Sequence, residues 1–221
     1  MAKRTRRPAR GQSLTDRAYE DLEEQIVTLQ LAPGTAVSES ELSARLGIGR
    51  TPIREALQRL ARERLVVILP RRGIMVSEIN VGSQLRLLEV RRELERLIAT
   101  SAARRATEDE RAKFRDIVAD FERSAQASDD VAFIRADRAF NELCSQAAHN
   151  EFALGAMSLM HSLSRRFWYM NHKKAADLPR TAKLHADIAR AIAAGDEARA
   201  AKASDKLLDA IEKFTRNTTQ V

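Results

Sequence analysis

Apolar residues recur every three or four positions along the first third of the chain, which predicts three amphipathic helices in succession. The first helix covers residues 13–29 and is followed by a turn over residues 31–34. Ser38 opens the second helix, Glu41 follows three residues later in a capping-box pattern, and Gly47 suits a left-handed end. The third helix begins shortly after this glycine.

The third helix carries an apolar face and a polar face. Thr51 followed by Pro52 predicts its start, with a hydroxyl cap and a proline in the first turn. The apolar stripe consists of Ile53, Leu57 and Leu60. Long polar side chains step by four along another face: Arg50, Arg54 and Gln58. A helix of this kind fits a DNA major groove, although an arginine-rich face on its own is more often solvated surface.

Two short β-rich runs follow, at residues 65–69 and 74–76, on either side of a Pro/Gly turn. This pattern predicts a hairpin. Three helices followed by a hairpin make a winged helix-turn-helix, which we place at residues 13–78. Arg71 and Arg72 fall at the tip of the wing, where they would lie along the DNA backbone or in the minor groove.

The remaining chain has a helical pattern throughout. After a connector at residues 79–82, we expect an antiparallel bundle of six helices that forms an all-α domain at residues 83–217. The helices are placed at residues 83–104, 108–126, 130–148, 151–171, 179–194 and 196–216. The predicted protein is thus mainly α, and the core of its bundle is a candidate ligand site.

Composition and charge narrow the possible partners. A hydrophobic fraction of 44% is sufficient for a core, and the net charge of +7 favours an anionic partner. Five Lys and Arg residues without an acid occupy the first ten positions, so residues 1–12 are expected to form a disordered basic arm. One cysteine, Cys144, and no long apolar run predict a soluble cytoplasmic protein with no membrane partner.

Several polar residues fall on apolar faces of the second half. Arg91 lies among leucines, Asp137 and Asn141 lie one turn apart between phenylalanines, and His185 opens an apolar row. A charged group on such a face needs a partner or a ligand. Either these residues form an internal Arg–Asp or His–Asp pair, or they bind an effector. Arg165, with His161 and Trp168 on the same helix, lines this cavity or only its surface.

The first half resembles the DNA-binding domain of GntR-type bacterial transcription regulators. The resemblance rests on LAPG at residues 31–34, SESEL at 38–42, LGIGRTPIREAL at 46–57 and PRRG at 70–73. In that family the arginine and threonine that start the recognition helix, and the arginine four positions on, contact operator DNA. These positions are Arg50, Thr51 and Arg54, and Gln58 continues their face.

Three positions depart from this family pattern. Gly49 stands where a serine or threonine usually caps the recognition helix and reaches a phosphate. Ser40 stands where many members have an arginine in the second helix, so the DNA contact expected of that arginine is missing. Arg64 replaces the glycine that usually follows the recognition helix, a change that we interpret as structural.

The second half resembles the FCD effector-binding domain of the FadR subgroup of these regulators. The similar segments are EVRRELE at residues 89–95, Asp137 with Phe140 and Asn141, and the segment from His185 to Asp196. Many FCD domains bind a divalent metal through an aspartate and three histidines. Here Asn141 and Leu207 replace two of these ligands, leaving Asp137 and His185, so we expect no required cofactor and no tight metal site.

These features predict a DNA-binding transcriptional repressor that a small molecule releases from DNA. The expected effector is an organic acid or an acyl-type ligand held by Arg91, Asp137, Asn141, His185 and Arg165. A homodimer bound to a palindromic operator follows from the resemblance. The alternatives are a metal-responsive sensor with an incomplete site, a helical metal-dependent enzyme, and an architectural protein that binds nucleic acid by charge alone. No phosphate loop or nucleophile–base arrangement favours an enzyme.

Overall fold

The computed structural model describes residues 13–69, 73–175 and 178–218, except for the side chains of residues 173–175. Within it the chain divides into two compact units, one ending at Glu78 and one beginning at Ile79. The basic arm predicted at residues 1–12, and Arg71 and Arg72 at the wing tip, lie outside the described residues. Their roles therefore stay predictions.

The first unit is a helix-turn-helix with a small antiparallel sheet, as the sequence predicts. Its helices are Leu14–Val27 (α1), Glu39–Leu46 (α2) and Arg50–Arg62 (α3), and its strands are Ala36–Val37 (β1), Val66–Leu69 (β2) and Gly73–Val76 (β3). The strand order is β1-β3-β2, with Ala36 opposite Met75 and Val66 opposite Val76. Strand β1 was not predicted, because two residues are too few to show an alternating pattern.

The core of the first unit lies between α1 and α3. The stripe predicted from helical spacing is buried there: Leu22, Ile26, Ile53, Leu57 and Leu60. Burying each such side chain contributes roughly 1.5–3 kcal/mol relative to leaving it exposed. This packing fixes which face of α3 points away from the protein.

The second unit is entirely helical in the residues described. Its helices are Val81–Arg105 (α4), Glu108–Ala127 (α5), Asp130–Ala147 (α6), Glu151–Ser158 (α7), His161–Ala175 (α8), Leu178–Ala193 (α9) and Glu197–Asn217 (α10). The predicted fold class is confirmed. The single helix predicted at residues 151–171 is wrong, however, since a turn at Leu159 and Met160 divides it. The bundle therefore has one more helix than predicted among the described residues.

The core of the second unit is rich in aromatic rings. Phe121 packs against Phe133 and Phe140, with ring centroids 5.8 Å apart in both pairs. His185 of α9 lies against the same group, 5.2 Å from Phe121. A polar ring is thus held inside an apolar cluster. Among the described helices, none is long and apolar enough to cross a membrane.

Candidate functional site

The outer face of α3 presents the polar row that the sequence predicts. The exposed residues of this row and its surroundings are Arg50, Thr51, Arg54 and Gln58 on α3, with Gly49 before it and Ser40 on α2. The apolar stripe on the opposite side packs into the core, so these side chains cannot turn inward. The α3 residues share one face of their helix. Ser40 lies beside them because α2 is joined to α3 by the hydrogen bond from Arg54 to Glu39, the residue before Ser40.

The turn that aims α3 is built from local hydrogen bonds. The Ser38 hydroxyl accepts a hydrogen bond from the Glu41 amide at 3.1 Å, which caps α2. Gly47 ends α2 with φ of 65°, and the Ser43 hydroxyl donates to the Ile48 carbonyl at 2.6 Å. These contacts confirm the predicted start and end of α2.

The predicted cap of α3 is wrong by two residues. The N-cap is Gly49, with no side-chain cap bond, so Thr51 lies inside the first turn and its hydroxyl is exposed. A hydroxyl in the first turn beside unpaired amides suits an external anion such as a DNA phosphate.

Arg54 makes a two-point contact that sequence reasoning missed. Its Nε donates to Glu39 Oε1 at 2.8 Å and its Nη2 donates to Glu39 Oε2 at 2.7 Å. The hydrogen bond and charge of Arg54 hold the pKa of Glu39 below its ordinary value. The signal available in the sequence was an acidic residue in the first turn of the helix that precedes an arginine-bearing helix.

The polar residues predicted on apolar faces meet in one cavity of the second unit. This cavity of about 40 Å³ lies among α4, α6, α8, α9 and α10. Its polar lining contains all five predicted effector-binding residues: Arg91, Asp137, Asn141, Arg165 and His185. Aromatic rings of Phe133, Phe167, Trp168 and Phe214 complete the wall.

One side of the cavity is an internal ion pair, the first alternative left open by the sequence. His185 Nε2 lies 3.1 Å from Asp137 Oδ1, and its Nδ1 lies 2.9 Å from the Thr181 carbonyl oxygen. Burial alone would raise the pKa of Asp137. The hydrogen bond from His185 and the charges of His185 and Arg165 instead lower that pKa to about 2. Asp137 is therefore a stable carboxylate.

The other side of the cavity is organised by Arg91. Its guanidinium lies 2.5 Å from Glu95 Oε1 and donates to the Ser164 hydroxyl. Gln84 donates to the same hydroxyl at 2.9 Å. Glu95 lies one turn from Arg91 on α4, so that pair is local, whereas Ser164 of α8 meets Gln84 and Arg91 of α4 only in the folded bundle and carried no functional signal in the sequence.

Among the described residues, the buried donors of the cavity wall that have no hydrogen-bond partner include the imidazole of His161 and Nε1 of Trp168. Burial and the charges of Arg91 and Arg165 lower the pKa of His161 to about 3, so its ring is neutral. A buried donor without a partner costs about 1–3 kcal/mol. Such groups are expected where a ligand or ordered water completes the bonding.

Comparison with known protein families assigns both units. Residues 14–76 match the family described as bacterial regulatory proteins, gntR family, and residues 86–210 match the FCD domain. The chain belongs to the GntR family of bacterial regulators. Its FCD domain fits the FadR subgroup, and the match makes it a DNA-binding transcription regulator.

Curated and solved relatives agree with this GntR assignment. The HTH-type transcriptional repressor RspR of Escherichia coli is 26% identical over 95% of this chain and 92% of its own length. The structure of E. coli McbR/YncC superposes with a TM-score of 0.80 at 18% identity, covering 94% of this chain and 99% of that one. A GntR structure from Rhodococcus gives a TM-score of 0.67 at 19% identity, covering 93% and 99%. At these identities the structures establish the fold alone.

The metal site of many FCD domains does not fit this GntR regulator. Asp137 and His185, the two remaining ligand types, are hydrogen-bonded to each other, and the buried Leu207, which stands at the sequence position of a further ligand, does not line their cavity. Residues 13–69, 73–175 and 178–218 contain no group of three or more His, Cys, Asp or Glu positioned to hold a metal. Leu207 instead lines a second cavity of about 130 Å³, which shares Trp168, Thr181, Ile211 and Phe214 with the first.

Proposed function

We propose that this GntR regulator is a repressor that reads a palindromic operator as a homodimer and leaves it when a small organic acid binds the FCD cavity. The reading face consists of Arg50, Thr51, Arg54 and Gln58. Gly49, Ser40, Arg71 and Arg72 contribute contacts to the DNA backbone. The observation that carries the DNA part is the exposure of this polar row on a helix whose opposite face is fully buried.

The observation that carries the effector part is the pair of unpartnered donors, His161 and Trp168, in a cavity with two arginines. Arg91 contacts the carboxylate of Glu95 and Arg165 contacts that of Asp137, and an anion in the cavity would share the N–H donors of these two guanidinium groups. Asn141 adds an amide, while Asp137 and His185 hold one another and Arg165 in place. The carboxylate of the ligand would occupy the cavity of about 40 Å³ that Arg91 and Arg165 line. The apolar remainder of the ligand would extend into the adjoining cavity of about 130 Å³.

The coupling follows from differential binding. Two recognition helices of a dimer match half-sites about one helical turn apart only in one arrangement of the domains. An effector that binds more tightly to another arrangement draws the protein away from DNA by mass action. A regulator that acts on chromosomal DNA works in the cytoplasm, which agrees with the localisation expected from the sequence.

The DNA part is tested by selecting duplexes from a randomised library with the wild-type protein. Arg54→Ala should lose the preference at one base pair, since a bidentate arginine–guanine contact discriminates by about 1–3 kcal/mol. Arg115→Ala removes the same charge from an exposed position in the other unit and should keep the preference. Equal retention of operator binding by Arg54→Ala would refute its role.

The effector part is tested with a series of monocarboxylates from acetate to octanoate. The chain has one tryptophan, so Trp168 fluorescence reports directly on the cavity. Binding should change the emission and release the selected duplex, and His161→Gln should weaken both effects without altering DNA binding in the absence of acid. No response to any acid, or stoichiometric zinc or nickel held through Asp137 and His185, would contradict the effector proposal while leaving the DNA proposal intact.

A further inference from the structure

A carboxylate lies on the surface that is proposed to face DNA. Glu39 stands in the first turn of α2, and its side chain remains 27% exposed beside Arg54. A negative charge at this place repels phosphates and lowers affinity for any duplex. An exposed ion pair also adds little to stability, typically 0–1 kcal/mol. An acid in the first turn of a helix adds about 0.3–1 kcal/mol through the helix dipole, but Glu41 occupies the same turn of α2. Neither DNA affinity nor folding therefore requires an acid beside Arg54, which directs attention to the effect of Glu39 on that arginine.

The geometry of the pair fixes which part of the guanidinium is available. The two carboxylate oxygens of Glu39 occupy Nε and one hydrogen of Nη2. An arginine side chain has five N–H donors in a planar fork, so Nη1 and the second hydrogen of Nη2 remain. These groups form the end of the fork, and an arginine can contact both O6 and N7 of guanine in the major groove.

We infer that Glu39 is a positioning residue for base reading: it holds the Arg54 fork end-on toward one base pair and keeps it from resting on a phosphate. Without Glu39, the long Arg54 side chain can rotate and pair with the DNA backbone, which carries no sequence information. The inference rests on the proposed contact between Arg54 and a base. It assigns the specificity of that contact to a residue of the preceding helix.

The test compares Glu39→Gln, Arg54→Ala and the double variant on the duplex selected by the wild-type protein and on a scrambled duplex of equal length. Glu39→Gln keeps the shape of the side chain and removes its charge. Glu41→Gln is the matched control, because it removes the same charge from an exposed position on the same helix. Circular dichroism melting of every variant separates altered recognition from altered folding.

Glu39→Gln should bind the scrambled duplex several-fold more tightly and lower the ratio of selected to scrambled affinity about fivefold, the lower end of one bidentate discrimination. The lost preference should map to the same base pair that Arg54→Ala affects. The double variant should lose no more sequence preference than Arg54→Ala alone. Glu41→Gln should change both affinities by the same factor.

Two outcomes would overturn the inference. If Glu39→Gln and Glu41→Gln raise both affinities equally, Glu39 acts only as a surface charge. If Glu39→Gln strengthens selected binding and leaves the preference unchanged, it masks Arg54 rather than positioning it. A wild-type protein that selects no sequence, or an Arg54→Ala variant that keeps the preference, would instead refute the proposed reading role of Arg54 on which the inference depends.

Discussion

At the scale of single residues, Arg64 carries an unfavourable backbone conformation. Its φ is 59°, in the left-handed region, just after the end of α3. Its carbonyl accepts a hydrogen bond from the Ser77 hydroxyl at 2.7 Å, which ties the helix end to the segment after β3. The glycine usual here in the family adopts this conformation without strain. The replacement of that glycine by Arg64 therefore introduces backbone strain.

Arg64→Gly should therefore stabilise the first unit by up to about 1 kcal/mol, because an L side chain costs roughly that much in this region. Gly47→Ala should lower the stability of the first unit by a similar amount. Gly47 has φ of 65°, and an added Cβ meets no atom within 4 Å, so only backbone strain changes. Urea unfolding of both variants checks these values, and a destabilised Arg64→Gly protein would contradict this interpretation.

Asp137 should give stability a specific pH dependence. Its pKa is held at about 2 in the fold against 3.8 ordinarily, so its contribution is present above about pH 4 and is lost as pH falls toward 2. Asp137→Asn should cost about 3 kcal/mol near pH 7, because it leaves His185 without its partner.

The difference between wild type and Asp137→Asn in the free energy of unfolding should then shrink as the solution is acidified below about pH 4. Asp187→Asn, which removes a partly exposed carboxylate from α9, the helix that carries His185, should stay within about 0.5 kcal/mol of wild type. A constant difference across this pH range would show that Asp137 is not the titrating group.

At the scale of elements, α3 begins without a side-chain cap. A hydroxyl on the N-cap residue bonds the amides of the first turn, and here that residue is Gly49. An added Cβ would lie 3.8 Å from Pro52 Cδ, which is an ordinary contact.

Gly49→Ser should therefore raise the melting temperature slightly, since replacing a glycine cap gains a few tenths of a kcal/mol. It should also tighten binding to both selected and scrambled duplexes, because the new hydroxyl faces the phosphates rather than the bases. Gly49→Ala is the control that adds the Cβ without the hydroxyl. Equal DNA affinities for the serine and alanine variants would exclude a phosphate contact.

At the scale of the whole molecule, the basic arm and the recognition helix should affect DNA binding in different ways. Arg6→Ala should reduce the slope of log affinity against log salt by up to about 0.9, the effect of one lost phosphate contact, and leave sequence preference unchanged. Arg54→Ala should change the preference. Titrations at several salt concentrations distinguish these effects. An unchanged slope in Arg6→Ala would show that Arg6 of the arm makes no phosphate contact.

Local patterns in the sequence were enough to place most of the helices and the hairpin and to indicate the family. Helical spacing located the buried stripe of Ile53, Leu57 and Leu60 and the opposite polar row, because local periodicity alone decides which side of a helix is apolar. The motifs at residues 31–57 and 89–95 indicated both domains. The sequence also identified Asp137 and His185 as candidate site residues, since charged groups on apolar faces are costly without partners.

How the polar residues pair became visible only once the chain was folded. The Glu39–Arg54 contact joins residues 15 positions apart on two helices, and Ser164 bonds to Arg91 across 73 positions. The turn at Leu159 and Met160 interrupts a hydrophobic pattern that runs on through it, so packing rather than local sequence sets that break. Such contacts depend on which elements the fold brings within hydrogen-bond distance, a property that no local pattern of residues records.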